Sequence, residues 1–393
     1  MAHKKTAAPI TPPITGYSAT AKEALQESTA QVQEIHDAIA ATTFGIFNHM
    51  PGIGNSTQLI QQAHNAMTDS MYAAFHQAGG DLLEITGNME KQSNTIDPAQ
   101  QLPGQLVSNL RSALNGAFGE HLAKANHLLA IPMGIYRDDR LIPLTPQALS
   151  MAWPQNTNRL GIFIHGLVCN EHCWEAAPNA VDIPRRLEAE AGYTALTLRY
   201  NTALPIVENG ARLALLLDEL LSVWPYPVQE LIIIGHSMGG LLARSAFEQS
   251  KTTEFNWPAL TRMIICLGSP NLGSSIEQLG QLSSTALRLA GMSKPHANIA
   301  TPGNLDLLDE HKDTDLPRPR PPDIAWRFIG GSLTDDPDNP LGELFGDGLI
   351  SLASATPHEL SGNIESVRLG AVNHMGLLSE PRVYAQIIAW LKR

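Results

Sequence analysis

The chain reads as an α/β protein: a mostly parallel, doubly wound sheet preceded by a helical N-terminal region. Two observations lead there. From about residue 128 onward, short β-branched runs alternate with helical segments, the pattern of a parallel sheet covered on both faces. Before that point the apolar residues recur at three- and four-residue steps, the period of helices. A third observation bounds the rest: 43% hydrophobic and 16% charged residues in 393 suit a globular chain of one large domain plus an appendage.

Residues 1–16, rich in Pro, Thr and Ala, read as a flexible tail. Residues 17–127 read as the helical region. Leu25, Val32, Ile35 and Ile39 form one stripe, Leu59, Ile60, Ala63, Met67, Met71 and Phe75 a second, and Leu106, Leu110, Leu114, Phe118 and Leu122 a third. The polar faces lack the Lys/Arg richness of a membrane-surface helix. Docking on the domain that follows is therefore favoured over a dimer contact or peripheral membrane contact.

Residues 128–393 form the α/β domain. Its strand candidates are "RLGIFIHG", "TALTLRYN", "ELIIIGHS", "RMIICLGSP", "IAWRFIGGS" and "ESVRLGAVNH". Helix candidates lie at about 182–190, 208–224 and 238–249, and an apolar helix, "PRVYAQIIAWLKR", ends the chain. The interval of about 271–322 breaks the alternation and reads as a lid-like insertion. Its Leu279, Leu282, Leu287, Leu289 and Met292 suit an apolar lid or acyl-pocket wall, and equally a core.

Between the third strand candidate and its helix stands Gly235-His236-Ser237-Met238-Gly239. Gly-x-Ser-x-Gly after a strand and before a helix is the nucleophile-elbow pattern. The turn is too sharp for a Cβ at Gly235 or Gly239, and the helix beneath offers free N–H groups to a developing oxyanion. Ser237 is the candidate nucleophile. The pattern requires an acid and then a histidine downstream. His374, after the last strand, is the candidate base. Asp335, Asp336, Asp338 and Asp347 all follow the fifth strand candidate. Asp347 is favoured, because its flanking glycines permit a tight turn around a buried carboxylate; the Asp335–Asn339 group reads as a polar turn.

Oxyanion donors are expected from the Met238 N–H and from the loop after the first strand. There Gly166 lets the backbone turn inward, Leu167 N–H is the donor, and His165 is a supporting orienter. The same loop holds four residues that bind zinc elsewhere: His165, Cys169, His172 and Cys173. Structural zinc sites draw on two separated ligand pairs, and a metal would tie down the loop that presents Leu167. The cysteines are read as buried small apolar residues, and no metal or organic cofactor is expected.

With these residues in place, the chain resembles bacterial lipase-type α/β-hydrolases, including the inositol-deacylase-like group. The matching pieces are "HGLVCNEHCW", "LRYNTALPIVENG", "IGHSMGGLLARSA", "LGSPNLGSS", "GDGLISLASA" and "NHMGLLS", spread from about Leu129 to the C-terminus. Lipases of this kind often carry Gly-Thr-Pro-His-x-Gly; here Gly268-Ser269-Pro270-Asn271-Leu272-Gly273 substitutes Ser and Asn. The resemblance implies Ser237, Asp347 and His374 as a triad, and a serine esterase or lipase acting on a small-molecule or lipid ester. An acyltransferase or thioesterase would use the same residues. A catalytically inactive scaffold acting through the helical region is the alternative of a different class.

A formal charge of −12 without clustered Lys and Arg argues against a nucleic-acid partner. Three cysteines give no disulfide framework. The prolines at 9, 12 and 13 interrupt any secretory h-region, and no apolar run approaches the ~20 residues needed to cross a bilayer. A cytoplasmic location is therefore expected.

Overall fold

The computed structural model of the protein describes residues 104–124, 129–176, 180–251, 254–271, 324–357 and 362–393. The tail at 1–16, the first two helical stripes and the insertion after Asn271 lie outside them. The first described element is helix α1, Gly104–Lys124. A mixed sheet follows, with β1 Gly134–Arg137, β2 Arg140–Leu141, β3 Arg159–Ile164, β4 Thr194–Arg199, β5 Glu230–His236, β6 Thr261–Leu267, β7 Ala325–Gly331 and β8 Ile364–Leu369. Its order is β2-β1-β4-β3-β5-β6-β7-β8.

From β4 across to β8 every pairing is parallel, whereas β1 pairs antiparallel with both β2 and β4. All six strand candidates are strands. The β1–β2 hairpin was not foreseen. β2 is only two residues long and exposed, and Asp138 and Asp139 turn it with positive φ, so neither strand carries the apolar run that marks the others.

Alternation along the central strands divides the core in two. Ile162 and Ile164 of β3, with Leu231 and Ile233 of β5, face one layer. Phe163 of β3, with Ile232 and Ile234 of β5, faces the other. This is the period-two geometry of strands buried on both sides. The first layer is closed by α4, Ile206–Val223, through Leu213, Leu217 and Leu220, and by α5, Met238–Ser250, through Leu242, Ala243 and Ala246. The second is closed by α3, Ile183–Ala191, through Ile183 and Leu187, and by the C-terminal α9, Pro381–Leu391, through Val383, Ile387 and Trp390. Short helices α2 (Pro146–Ala152), α6 (Trp257–Leu260), α7 (Pro340–Phe345) and α8 (Leu352–Ala355) complete the described connections.

The strand order places the site. The chain leaves β3 for β4 on one side, then returns to β5 on the other. The loops after β3 and β5 therefore part in opposite directions and leave a crevice at the strands' C-terminal ends. Ile164 pairs with Gly235, so residues 165–167 and Ser237 emerge side by side.

Ile233 is fully enclosed at the centre of this sheet. Truncation by Ile233→Ala is expected to cost about 2–5 kcal/mol, read as a lower urea midpoint with unchanged slope. A cost below about 0.5 kcal/mol would contradict the two-layer core described here.

Candidate active site

The β5–α5 junction turns on Ser237, whose φ of +54° and ψ of −123° lie where side chains other than glycine are rare. Its N–H donates to Leu267 O at 2.8 Å, which fixes the turn to the end of β6. A Cβ at Gly235 would strike the backbone of Gly239 and Gly240, and one at Gly239 would strike the carbonyls of Ile164 and His165. Both glycines are thus required for space, and the first turn of α5 sits directly against the end of β3. Met238 is the first residue of that helix, so its N–H has no intrahelical partner.

The loop after β3 closes on Ser237 from the other side. A Cβ at Gly166 would lie 3.0 Å from Ser237 Cβ. Among the described residues, Leu167 N–H is paired with no acceptor. His165 orders this loop. It is fully buried, stacks on Tyr200 at 4.6 Å and accepts the Tyr200 hydroxyl on its carbonyl at 3.0 Å. Its Nδ1 lies 2.9 Å from Gly166 O. A carbonyl can only accept, so the proton sits on Nδ1. Burial pushes the His165 pKa down to about 3, and the ring is neutral throughout the physiological range.

Asp347 and His374 meet beside Gly268, at the end of β6. Asp347 Oδ2 lies 2.8 Å from His374 Nδ1. Its Oδ1 accepts the N–H groups of Leu349 and Ile350 at 3.0 and 2.9 Å. The turn that brings those amides round runs through Gly346 and Gly348, both with positive φ. His374 N–H in turn donates to Asp347 O at 3.0 Å. A carboxylate beside Nδ1 holds the proton there and leaves Nε2 as the lone-pair nitrogen. Burial opposes charging of the His374 ring, but the Asp347 charge and hydrogen bond outweigh it and raise its pKa above the ordinary 6.5.

The structure brings Asp347 to His374, and not the acids of the Asp335–Asn339 group. Those residues form a polar turn, in which Asp336 Oδ1 accepts from Asp338 N at 3.0 Å and Asn339 caps α7.

Sequence reasoning missed His236. It lies next to Ser237, its ring packs 4.6 Å from the His374 ring, and its Nε2 donates to His374 O at 3.0 Å. Burial holds it neutral, well below the ordinary histidine value. It therefore couples the loop that carries His374 to the elbow that carries Ser237. In the sequence it is only the variable residue of Gly-x-Ser-x-Gly, and nothing marks it. Asn271, which stands where related lipases often have His, pins its own loop instead: Nδ2 donates to Ser269 O and Ser354 O, and Oδ1 accepts from Arg244.

The four candidate zinc ligands form no metal-holding group among the described residues. His172 engages Asp139 at 2.7 Å and Glu175 at 2.6 Å, and His165 engages Gly166 O. Both cysteines are part-buried rather than enclosed, unlike Cys266. Asp139, Glu171 and His172 do converge, but the buried Arg199 guanidinium pairs with both acids and supplies the cation they require. Among the described residues no helix is long and apolar enough to cross a membrane.

Residues 213–294 match the family model described as the PGAP1-like alpha/beta domain. That stretch runs from within α4 through β5, Ser237, α5 and β6. No curated protein matches the chain. Among solved structures, a lipase of Bacillus licheniformis is similar at 17% identity, over 59% of this chain and 91% of that one, with a TM-score of 0.43. An esterase of Pyrococcus furiosus is similar at 14% identity, over 61% and 83%, with a TM-score of 0.41. The naproxen esterase of Bacillus subtilis is similar at 11% identity, over 59% and 83%, with a TM-score of 0.34. The sheet order and the elbow after β5 give the chain an α/β-hydrolase fold, within which residues 213–294 are similar to the PGAP1-like alpha/beta domain.

Proposed function

We propose that the protein is a serine hydrolase that cleaves carboxylic esters through an acyl-serine intermediate. The observation that carries this reading is the buried Asp347–His374 pair, joined through His236 to a serine held at φ +54° between β5 and α5.

In this reading His374 Nε2 takes the Ser237 proton as Oγ attacks the ester carbonyl carbon. The tetrahedral oxyanion is met by the N–H groups of Leu167 and Met238, each such donor contributing about 3 kcal/mol to the transition state. His374 then protonates the departing alkoxide, and the alcohol leaves. Water enters, gives a proton to His374 and attacks the acyl carbon; Ser237 departs with that proton. Asp347 holds the tautomer and stabilises the transient imidazolium. The ester substrate is a small molecule or a lipid, and the residues named carry the whole cycle without a cofactor.

Ser237→Ala is expected to lower p-nitrophenyl ester hydrolysis by about 10⁴-fold or more. Equal turnover by the variant and the wild type would overturn the mechanism. Asp347→Asn is expected to cost about 10⁴-fold in kcat, whereas Asp338→Asn leaves the rate within about twofold. A larger loss from the second would reverse the assignment of the acid.

The pH profile follows from the sign of the His374 shift. The base must be neutral to accept a proton, and its pKa lies above 6.5. The acid limb of kcat/KM is therefore expected to rise through a pKa above 6.5. In Asp347→Asn the raising charge is gone while the burial that lowers the pKa remains, so the limb moves to lower pH. A limb that stays in place, or moves upward, would contradict the pairing.

A further inference from the structure

Helix α1 lies against the loop that presents Leu167. Asn170 of that loop donates from Nδ2 to Asn109 Oδ1 at 2.8 Å and to Ser112 Oγ at 3.3 Å. Its Oδ1 caps the short 3₁₀ turn Glu171–Trp174 through His172 N at 3.0 Å. Buried Arg199, at the end of β4, donates to Ser108 Oγ at 3.1 Å and pairs with Glu171 of the loop and with Asp139 of the β1–β2 turn. Asn201 donates to Gly119 O at 2.7 Å. Near the middle of the helix, Asn115 accepts Ile131 N–H at 2.9 Å and donates to Leu129 O at 2.7 Å. The helix is thus anchored to the chain leading into β1, to β4 and to the loop after β3.

Val168, the residue after Leu167, packs directly against the helix at Gly116. Val168 has a φ of +57°, a conformation in which a β-branched side chain is a genuine outlier. Such a residue persists only where its surroundings over-determine it. Here its N–H donates to Thr202 Oγ1 at 3.3 Å, and its side chain fills the space that a Cβ at Gly116 would need. Rotation of Val168 about its own backbone would swing the peptide plane that carries its N–H, and with it the inward turn that starts at Gly166.

We propose that α1 is a positioning element for the oxyanion hole. Gly116 seats Val168 in its left-handed conformation, Asn109 and Ser112 hold Asn170, and together they fix the direction of the Leu167 N–H. The stripe Ser108, Ser112, Asn115, Gly116 and Gly119 recurs at helical steps along one face and is buried. Its small and polar residues allow the helix backbone to lie close to the loop. Ser112 and Gly116 act on Leu167 through Asn170 and Val168, while Ser108, Asn115 and Gly119 fasten the helix to Arg199, the chain before β1 and Asn201. This inference rests on the serine-hydrolase reading above.

The test uses the full chain with Gly116→Ala, Val168→Ala and the double variant. Each is assayed for p-nitrophenyl ester kinetics and for amide hydrogen exchange over residues 166–170. In Gly116→Ala, the new methyl displaces Val168. The expected result is a fall in kcat of about 10- to 100-fold with KM within about twofold, together with faster exchange at 166–170. Removal of the opposing methyls in the double variant is expected to recover most of the lost kcat and protection. Full activity in Gly116→Ala would overturn the proposal, as would a loss that Val168→Ala does not relieve. If the wild type shows no Ser237-dependent hydrolysis, the hydrolase reading falls. The exchange measurement then stands by itself, and unchanged protection at 166–170 in Gly116→Ala overturns the role of the helix.

Discussion

The turn at Ser237 is the constraint on which the site depends. A residue with a side chain sits at φ +54° between a strand buried from Leu231 to His236 and the first turn of a helix. That conformation is unfavourable in isolation. It is kept by a hydrogen bond to the end of β6 and by two glycines that let α5 lie against β5 and the end of β3. The same contact that permits the turn sets the helix N-terminus beside the loop after β3. Ser237, the N-terminus of α5 and Gly166 therefore meet because of one packing arrangement, and the sheet order makes it available by parting the two loops at adjacent strands.

Electrostatics divides three buried histidines among different tasks. His165 and His236 are enclosed, and each donates from one nitrogen to a backbone carbonyl. Desolvation keeps both neutral, so they serve as fixed struts. His374 is equally buried but faces a carboxylate, and its shift has the opposite sign. One residue type thus supplies two neutral supports and one ring biased toward protonation, according to whether the partner is a carbonyl or a carboxylate. Asp347 is held by two backbone amides, so the acid is oriented before the histidine meets it.

The central sheet was readable because burial on both faces leaves continuous β-branched runs, as in "GIFI" and "LIIIG". The glycines of the elbow were readable because the turn needs them for space, and Asp347 because glycines flank it. What escaped the sequence lacks such a signature. The β1–β2 hairpin is short and exposed. His236 acts through a ring contact with a residue far along the chain. The docking face of α1 is made of Ser, Asn and Gly, which apolar periodicity passes over; Ser108, Ser112 and Gly116 acquire meaning only once Arg199, Asn170 and Val168 are seen opposite them. Polar and close-packed contacts between distant segments are set by tertiary geometry, and single-residue patterns do not encode them.

The central claim is that Ser237 is a nucleophile activated within this arrangement. The most direct measurement is covalent labelling with a fluorophosphonate, followed by mapping of the modified peptide by mass spectrometry. The account predicts one adduct, on Ser237, forming more slowly when His374 is replaced by Ala and absent in Ser237→Ala. An unlabelled wild-type protein, or an adduct on any other residue, would contradict it.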